Sequence, residues 1–248
     1  MSTDTAIIDV SHDWITACDI QERFMRRPGD AMDVLDCGAR CRQVRALGGD
    51  CYDFLPLSSG RLALAVGDAS GKGLPAALMI SNVQSSLRTA ASFIGDDGPA
   101  VLGAVNRQVH ASSLADRYAT LFYGVFDGAS RMLRYVNAGH NPPMIVRRGT
   151  VGWLDAGGLP VGIFAESTYE EGCVRLSPGD ILVAYTDGVV EARNRADEDW
   201  GVAGLQRAVL ENRERDANGL VDAILASLDE FSGGLLTDDA TVVVIRVR

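Results

Sequence analysis

Residues 64–79 read LAVGDASGKGLPAALM: an apolar run ends on Gly67 and Asp68, a glycine-rich turn follows, and a helix opens at Pro75. Gly71-Lys72-Gly73 in such a turn invites a phosphate-cradling loop, but the spacing rejects it. That loop needs four residues between its glycines and a Ser or Thr after the lysine, so that backbone N–H groups wrap phosphate and the hydroxyl reaches magnesium. Here three residues separate Gly67 from Gly71, Gly73 follows Lys72, and Asp68 places a negative charge inside the loop. Asp68 suits a hard cation instead. Magnesium and manganese take oxygen donors, and a tight turn exposes carbonyls beside the carboxylate.

The rest of the chain sets the frame for that loop. Its 248 residues are 47% hydrophobic and 23% charged, as in a soluble globular protein with a sizeable core. The net charge of −10 argues against a nucleic-acid binder, which needs a basic patch, and suits a carboxylate-rich site neutralised by cations. No apolar run is long enough to span a membrane, and residues 1–14 lack the look of a signal peptide, so the expected location is cytoplasmic. The five cysteines (Cys18, Cys37, Cys41, Cys51 and Cys173) form an odd set that reads as reduced thiols, and Cys37 and Cys41 lack the second pair a zinc site requires.

Residues 13–27 read as an amphipathic helix with Ser11 as N-cap, Trp14, Cys18, Gln21, Phe24 and Met25 near one face, and Pro28-Gly29 as its stop. A buried strand is expected at 61–68 and helices at 74–91 and 98–115. The stretches 118–127 and 131–139 read as a hairpin, followed by short strands with turns at Arg148-Gly149 and at 177–180. Helices at 201–214 and 218–231 and a last strand at 240–247 complete the pattern. Helices clustered on either side of a strand-rich middle predict an α+β layered domain, two antiparallel sheets face to face with helices outside.

Asp68 has company. GGDCYD presents Asp50 and Asp53, LVAYTDGVVEA ends a strand at Asp187-Gly188, and LLTDDATVVV places Asp238-Asp239 before the last strand. Each alone reads as a turn aspartate. Converging on one cleft, they would repel one another unless cations sat between them. GGDCYDF, LAVGDASGKGLPAALM, TLFYGVFD, LRYVNAGHNPP, LPVGI, LSPGDILVAYTDGVVEARN and DDATVVV, in this order, resemble the PPM-type metal-dependent serine/threonine phosphatases of bacteria, the SpoIIE/RsbU-like branch. The resemblance runs from about Ile20 to Val247.

That resemblance implies a four-layer α-β-β-α sandwich over residues 31–248, preceded by a helical segment at 1–30 that packs or regulates. It implies two Mn2+ or Mg2+ ions at one end of the sandwich. Asp68 would bridge them, with the Ala69 carbonyl as a further ligand. Asp50, directly or through water, Asp187 and Asp238 would complete the set, with Asp239 exchangeable for Asp238. Asp53, Ser70, Lys72 and Gly188 would lie close by. Two such ions activate water for in-line attack on phosphorus, with no protein nucleophile. Ser70 stands where eukaryotic relatives have a histidine and is a poor acid, so the leaving oxygen would take its proton from water. His140 reads as a turn histidine and Lys72 as a solvated loop lysine.

The substrate implied is a phosphoprotein, by analogy a STAS-domain anti-sigma-factor antagonist in a partner-switching pathway. The short lead before the first helix leaves no room for a sensor, which reads as either a stand-alone enzyme controlled by association or an excised domain, the starting methionine favouring the first, and the first helix leaves a homodimer open. A competing class is a catalytically silent module that binds a phosphoprotein, against which the retained Asp50, Asp68, Asp187 and Asp238 argue. A diguanylate cyclase is rejected because Cys51-Tyr52 replace the Glu-Phe that should follow GGD.

Overall fold

The computed structural model describes residues 10–25, 32–114 and 116–248. In chain order the elements are α1 (Val10–Phe24), β1 (Leu35–Arg42), β2 (Asp50–Leu57), β3 (Arg61–Ala69), α2 (Leu74–Ile94), α3 (Gly98–Ser112), β4 (Ala119–Asp127), β5 (Met132–Ala138), β6 (Met144–Arg147), β7 (Thr150–Trp153), β8 (Gly157–Gly158), β9 (Gly172–Arg175), β10 (Ile181–Tyr185), α4 (Asp187–Val190), α5 (Gly201–Glu211), α6 (Ala217–Ser232) and β11 (Ala240–Val247). One sheet has the order β1-β11-β10-β6-β7; the other runs β2-β3-β4-β5-β8, with β9 also on β5. The expected antiparallel arrangement holds except where the two residues of β8 pair parallel to β5.

Strand alternation divides the apolar residues among three cores. Leu64, Val66, Phe122, Leu182, Val243 and Ile245 pack between the sheets. Ala63, Ala65, Leu121, Tyr123 and Val125 face the other way, against Ile80, Val83, Leu87, Val101 and Leu102 of α2 and α3. Val183, Val242 and Val244 meet Leu205, Leu220, Ile224 and Leu228 of α5 and α6. The result is the four-layer α-β-β-α sandwich. Fully burying one such Leu or Ile is worth about 1.5–3 kcal/mol.

The helices begin where the local chemistry allows it. Pro75 occupies the first turn of α2, where its missing N–H costs nothing. Asp97 and Asp216 cap α3 and α6 by accepting the N–H groups of Ala100 and Gly219. Gly233 ends α6 in the left-handed conformation at φ 69°. α1 starts earlier than the sequence suggests, so Ser11 lies inside its first turn instead of capping it, and Pro28-Gly29 fall outside the described residues. Trp14 is exposed, whereas Gln21 is buried.

Candidate active site

β2 begins, β3 ends, β4 begins, β10 ends and β11 begins at one end of the sandwich. The register there sets Asp50 directly across from Asp68, and Asp68 across from Thr120. Directly opposed residues share a face. All three belong to the face that carries Tyr52, Val66 and Phe122 between the sheets. Asp50 is buried, and its Oδ2 accepts hydrogen bonds from the hydroxyls of Thr186 (2.7 Å) and Thr241 (2.6 Å) on the opposite sheet. One carboxylate thus ties the two sheets together below the cleft.

Asp68 lies above it, half-buried. A Cβ on Gly49 would stand 3.1 Å from the Ala69 carbonyl oxygen, 3.2 Å from Ala76 Cβ and 3.3 Å from Asp68 Oδ1, so both oxygens lie close against this glycine. The Ala69 N–H donates to the Gly49 carbonyl at 3.0 Å, fixing this approach. Asp187 opens the short α4, and Asp238 stands in the turn before β11. Lys72 Nζ lies 2.6 Å from Asp238 Oδ2 and donates to the Thr237 carbonyl at 2.8 Å.

These carboxylates feel one another. Burial, with Asp187, Asp238 and Asp239 adding repulsion, pushes the Asp68 carboxyl up to about 7, and Lys72 pulls the other way. Burial and then Asp68 raise Asp50 well above the usual carboxylate range, against the two threonine hydroxyls. Asp187 is raised by burial, Glu191 and Asp238. Among the described residues, no three carboxylate, imidazole or thiol groups are already gathered within ligating reach of one point. Oxygen donors, mutual repulsion and the two oxygens beside Gly49 nonetheless fit a hard divalent cation, provided Lys72 yields Asp238.

Four of the expected site residues make other contacts. Asp53 faces away: it is fully buried toward α2, with Arg88 Nε 2.5 Å from its Oδ2. Alternation along β2 puts it on the opposite face from Asp50. Asp239 clamps a loop, its Oδ1 and Oδ2 accepting the N–H groups of Val44 (2.8 Å) and Gly49 (2.9 Å). Gly188 is a packing glycine, since a Cβ there would lie 2.0 Å from the Asp239 carbonyl oxygen. Ser70 closes onto Tyr118, its N–H donating to the Tyr118 carbonyl and its Oγ accepting the Tyr118 N–H.

Lys72 is exposed, as a solvated loop lysine is, and also pairs with Asp238, and His140 is not confined to its turn. The His140 backbone N–H makes the turn bond to Asn137 Oδ1 (2.7 Å), whereas the ring Nδ1 reaches Thr120 Oγ1 at 2.8 Å. Sequence reasoning missed Thr120, Thr186 and Thr241; the last two had a signal, standing beside an aspartate at a strand end in YTDG and DDAT.

Fold and cleft together define a PP2C-like phosphatase domain of the PPM type. The SiaA-PP2C domain of Pseudomonas aeruginosa superposes with a TM-score of 0.84 at 20% identity, covering 96% of this chain and 97% of that one. The RsbU and RsbW domains of a Mycobacterium tuberculosis protein give 0.74 at 28% identity, over 86% of this chain and 61% of that one. The family described as stage II sporulation protein E (SpoIIE) matches residues 58–248, and the chain belongs to that family. It is 29% identical over 238 residues to phosphoserine phosphatase RsbU of Bacillus subtilis, covering 93% of this chain and 68% of that protein. It is 28% identical to protein IcfG of Synechocystis, over 91% of this chain but only 40% of that larger protein.

Proposed function

We propose that this chain hydrolyses phosphoserine or phosphothreonine on a protein, using two Mn2+ or Mg2+ ions held by Asp68, the Ala69 carbonyl, Asp187 and Asp238. The observation that carries the reading is that Asp68 Oδ1 and the Ala69 carbonyl oxygen stand together beside Gly49, with Asp187, Asp238 and Asp239 near enough to raise the Asp68 carboxyl. Bound divalent cations would supply a water acidic enough to attack at neutral pH and positive charge for the phosphoryl oxygens.

The protein's own part is positional. Asp50, locked by Thr186 and Thr241, supports Asp68 from the neighbouring strand and acts on the ions directly or through water. Asp238 takes the ligand role in preference to Asp239, whose two oxygens are committed to Val44 and Gly49. Arg117 Nη1 donates to the Ser70 carbonyl at 3.0 Å and steadies the turn after Asp68. Among the described residues no helix is long and apolar enough to cross a membrane. A phosphorylated STAS-domain antagonist is the substrate we favour, by analogy with the relatives named phosphoserine phosphatases.

Phosphate release from a phosphoserine peptide tests the reading. Turnover that requires Mn2+, stops with chelator and is absent in Asp68→Asn is the expected result. A folded protein that binds the phosphopeptide without turnover at any Mn2+ concentration would favour the silent binding module, for which the Lys72–Asp238 pair is the supporting feature.

A further inference from the structure

The opposite end of the sandwich carries a second polar site. There β6, β10 and β11 lie side by side, with Ile181 across from Val146 on one flank and from Arg246 on the other. Six residues of extended chain lie between Asp239 and Arg246, which are roughly 20 Å apart. Beside this row lies a cavity of about 520 Å3 bordered by Arg147, Arg148, Arg213 and Arg246. Its size suits a small ligand.

Four arginines and the two acidic residues Asp180 and Glu214 line the cavity, in a chain whose net charge is −10. Two of the arginines are compensated. Arg147 donates from Nε (3.0 Å) and Nη2 (2.7 Å) to the buried Asp180, and Arg213 lies 3.3 Å from Glu214. Arg246 is held by the carbonyl oxygens of Arg213 and Arg215, which fix its direction without cancelling its charge. The Arg148 side chain has no hydrogen bond or ion pair among the described residues.

The same arginine is one of four non-glycine residues with positive φ among the described residues, with Ser59, Arg131 and Asp197. Arg148 sits at the β6–β7 hairpin tip with φ 50°, followed by Gly149 at φ 83°. Asn or Gly is the usual occupant of that first position, because an L side chain there is strained. A cation is kept at a strained tip beside the cavity. Strain of this kind is tolerated where a side chain has a task.

A neighbouring cleft of about 580 Å3 shares Arg147 and Arg148 and is walled by Tyr135, Ile145, Trp153 and Leu154, with Trp153 39% exposed. Arg246 lies on β11 and Arg148 in the turn just beyond β6, two strand places away, roughly 10 Å, and neither makes an ion pair among the described residues, although Asp36 stands across from Arg246 on β1. The two arginines match a ligand presenting two anionic groups in a row better than a single phosphate. Guanidinium forks suit phosphate oxygens.

We propose that this end of the molecule binds a small ligand through a diphosphate group, seated among Arg148, Arg246 and their neighbours. Inorganic pyrophosphate and a nucleoside diphosphate share that chemistry, and the aromatic cleft would take the base of the second. This site is independent of the carboxylate cleft and of any turnover there.

Calorimetric titration of the full chain with pyrophosphate, ADP and adenosine, in chelator so that no cation recruits phosphate to the aspartates, decides the matter. The expected result is saturable binding of pyrophosphate, weakened roughly tenfold or more in Arg148→Glu and in Arg148→Gly. The glycine variant relieves the positive φ and keeps the test valid if the glutamate variant misfolds. ADP binding more tightly than pyrophosphate, with fluorescence quenching that Trp153→Phe removes, identifies the ligand as a nucleotide; equal binding assigns it to the diphosphate alone. Absence of saturable pyrophosphate binding, binding unchanged in both variants, or adenosine binding as well as ADP would overturn the proposal.

Discussion

Gln21 of α1 grips Gly48 by both backbone groups: its Nε2 donates to the Gly48 carbonyl at 2.7 Å, and its Oε1 accepts the Gly48 N–H at 3.1 Å. Gly48 and Gly49 lead directly into Asp50, and Asp239 holds the same loop through Val44 and Gly49. The first helix is therefore bonded to the backbone that enters the carboxylate cleft. Gln21→Ala leaves two buried backbone groups unpartnered, at a cost of about 1–3 kcal/mol. Urea melts should show that loss, and Mn2+ affinity should fall with it. Trp14→Ala, two turns before Gln21 in the exposed N-terminal half of α1, should change neither.

On the proposed metal assignment, Lys72 would compete with the cations for Asp238. Its ammonium lies 2.6 Å from Asp238 Oδ2, the carboxylate assigned there as a ligand. Both groups are partly exposed, so the pair is worth at most about 1 kcal/mol. Lys72→Met should tighten Mn2+ binding by up to roughly fivefold in an equilibrium titration, with little change in melting temperature. Weaker binding in the variant would mean that the lysine supports the site.

Repulsion among the aspartates should be measurable without metal. The folded Asp68 carboxyl, raised to about 7 from 3.8, is a group whose stabilising protonation is complete at low pH and lost as pH rises through that window. In chelator at pH 8, Asp68→Asn should therefore be more stable than wild type, on the order of 2–4 kcal/mol, in a denaturant titration. Below about pH 4 the advantage should vanish.

His140 should give the opposite pH dependence. Burial pushes its pKa down to about 4 from 6.5, the Tyr185 backbone opposing weakly. The unfolded chain takes up a proton near 6.5 while the folded ring refuses it until about 4, so stability is full above 6.5 and declines as pH falls through that range. The advantage of wild type over His140→Gln should shrink by about 3 kcal/mol between pH 7 and pH 4. A constant difference would contradict a buried neutral imidazole.

Elements with strong periodicity were legible from the residues alone. RLALAVGDA, ATLFYGVFD and ATVVVIRV are β3, β4 and β11, and the apolar spacing of α2, α3, α5 and α6 places those helices within a few residues. β1 was not legible, because LDCGARCR is an edge strand whose inward residues Cys37, Ala39 and Cys41 are small and whose outward ones are polar. The aspartates were found as a set, but their facing was not. Asp50 and Asp53 lie three residues apart on one strand and so point to opposite faces, and only the pairing of β2 with β3 tells which one joins Asp68. Asp238 and Asp239 were inseparable in sequence; the backbone N–H groups of Val44 and Gly49 separate them in space.

Mn2+ binding to chelator-stripped protein, measured by calorimetry in wild type and Asp68→Asn, tests the central claim most directly. Two ions bound per wild-type chain, and loss of at least one in the variant, is the outcome expected if Asp68 helps to hold both ions as proposed. Equal Mn2+ binding by the two proteins, both folded, would contradict the assignment of this cleft as the metal centre.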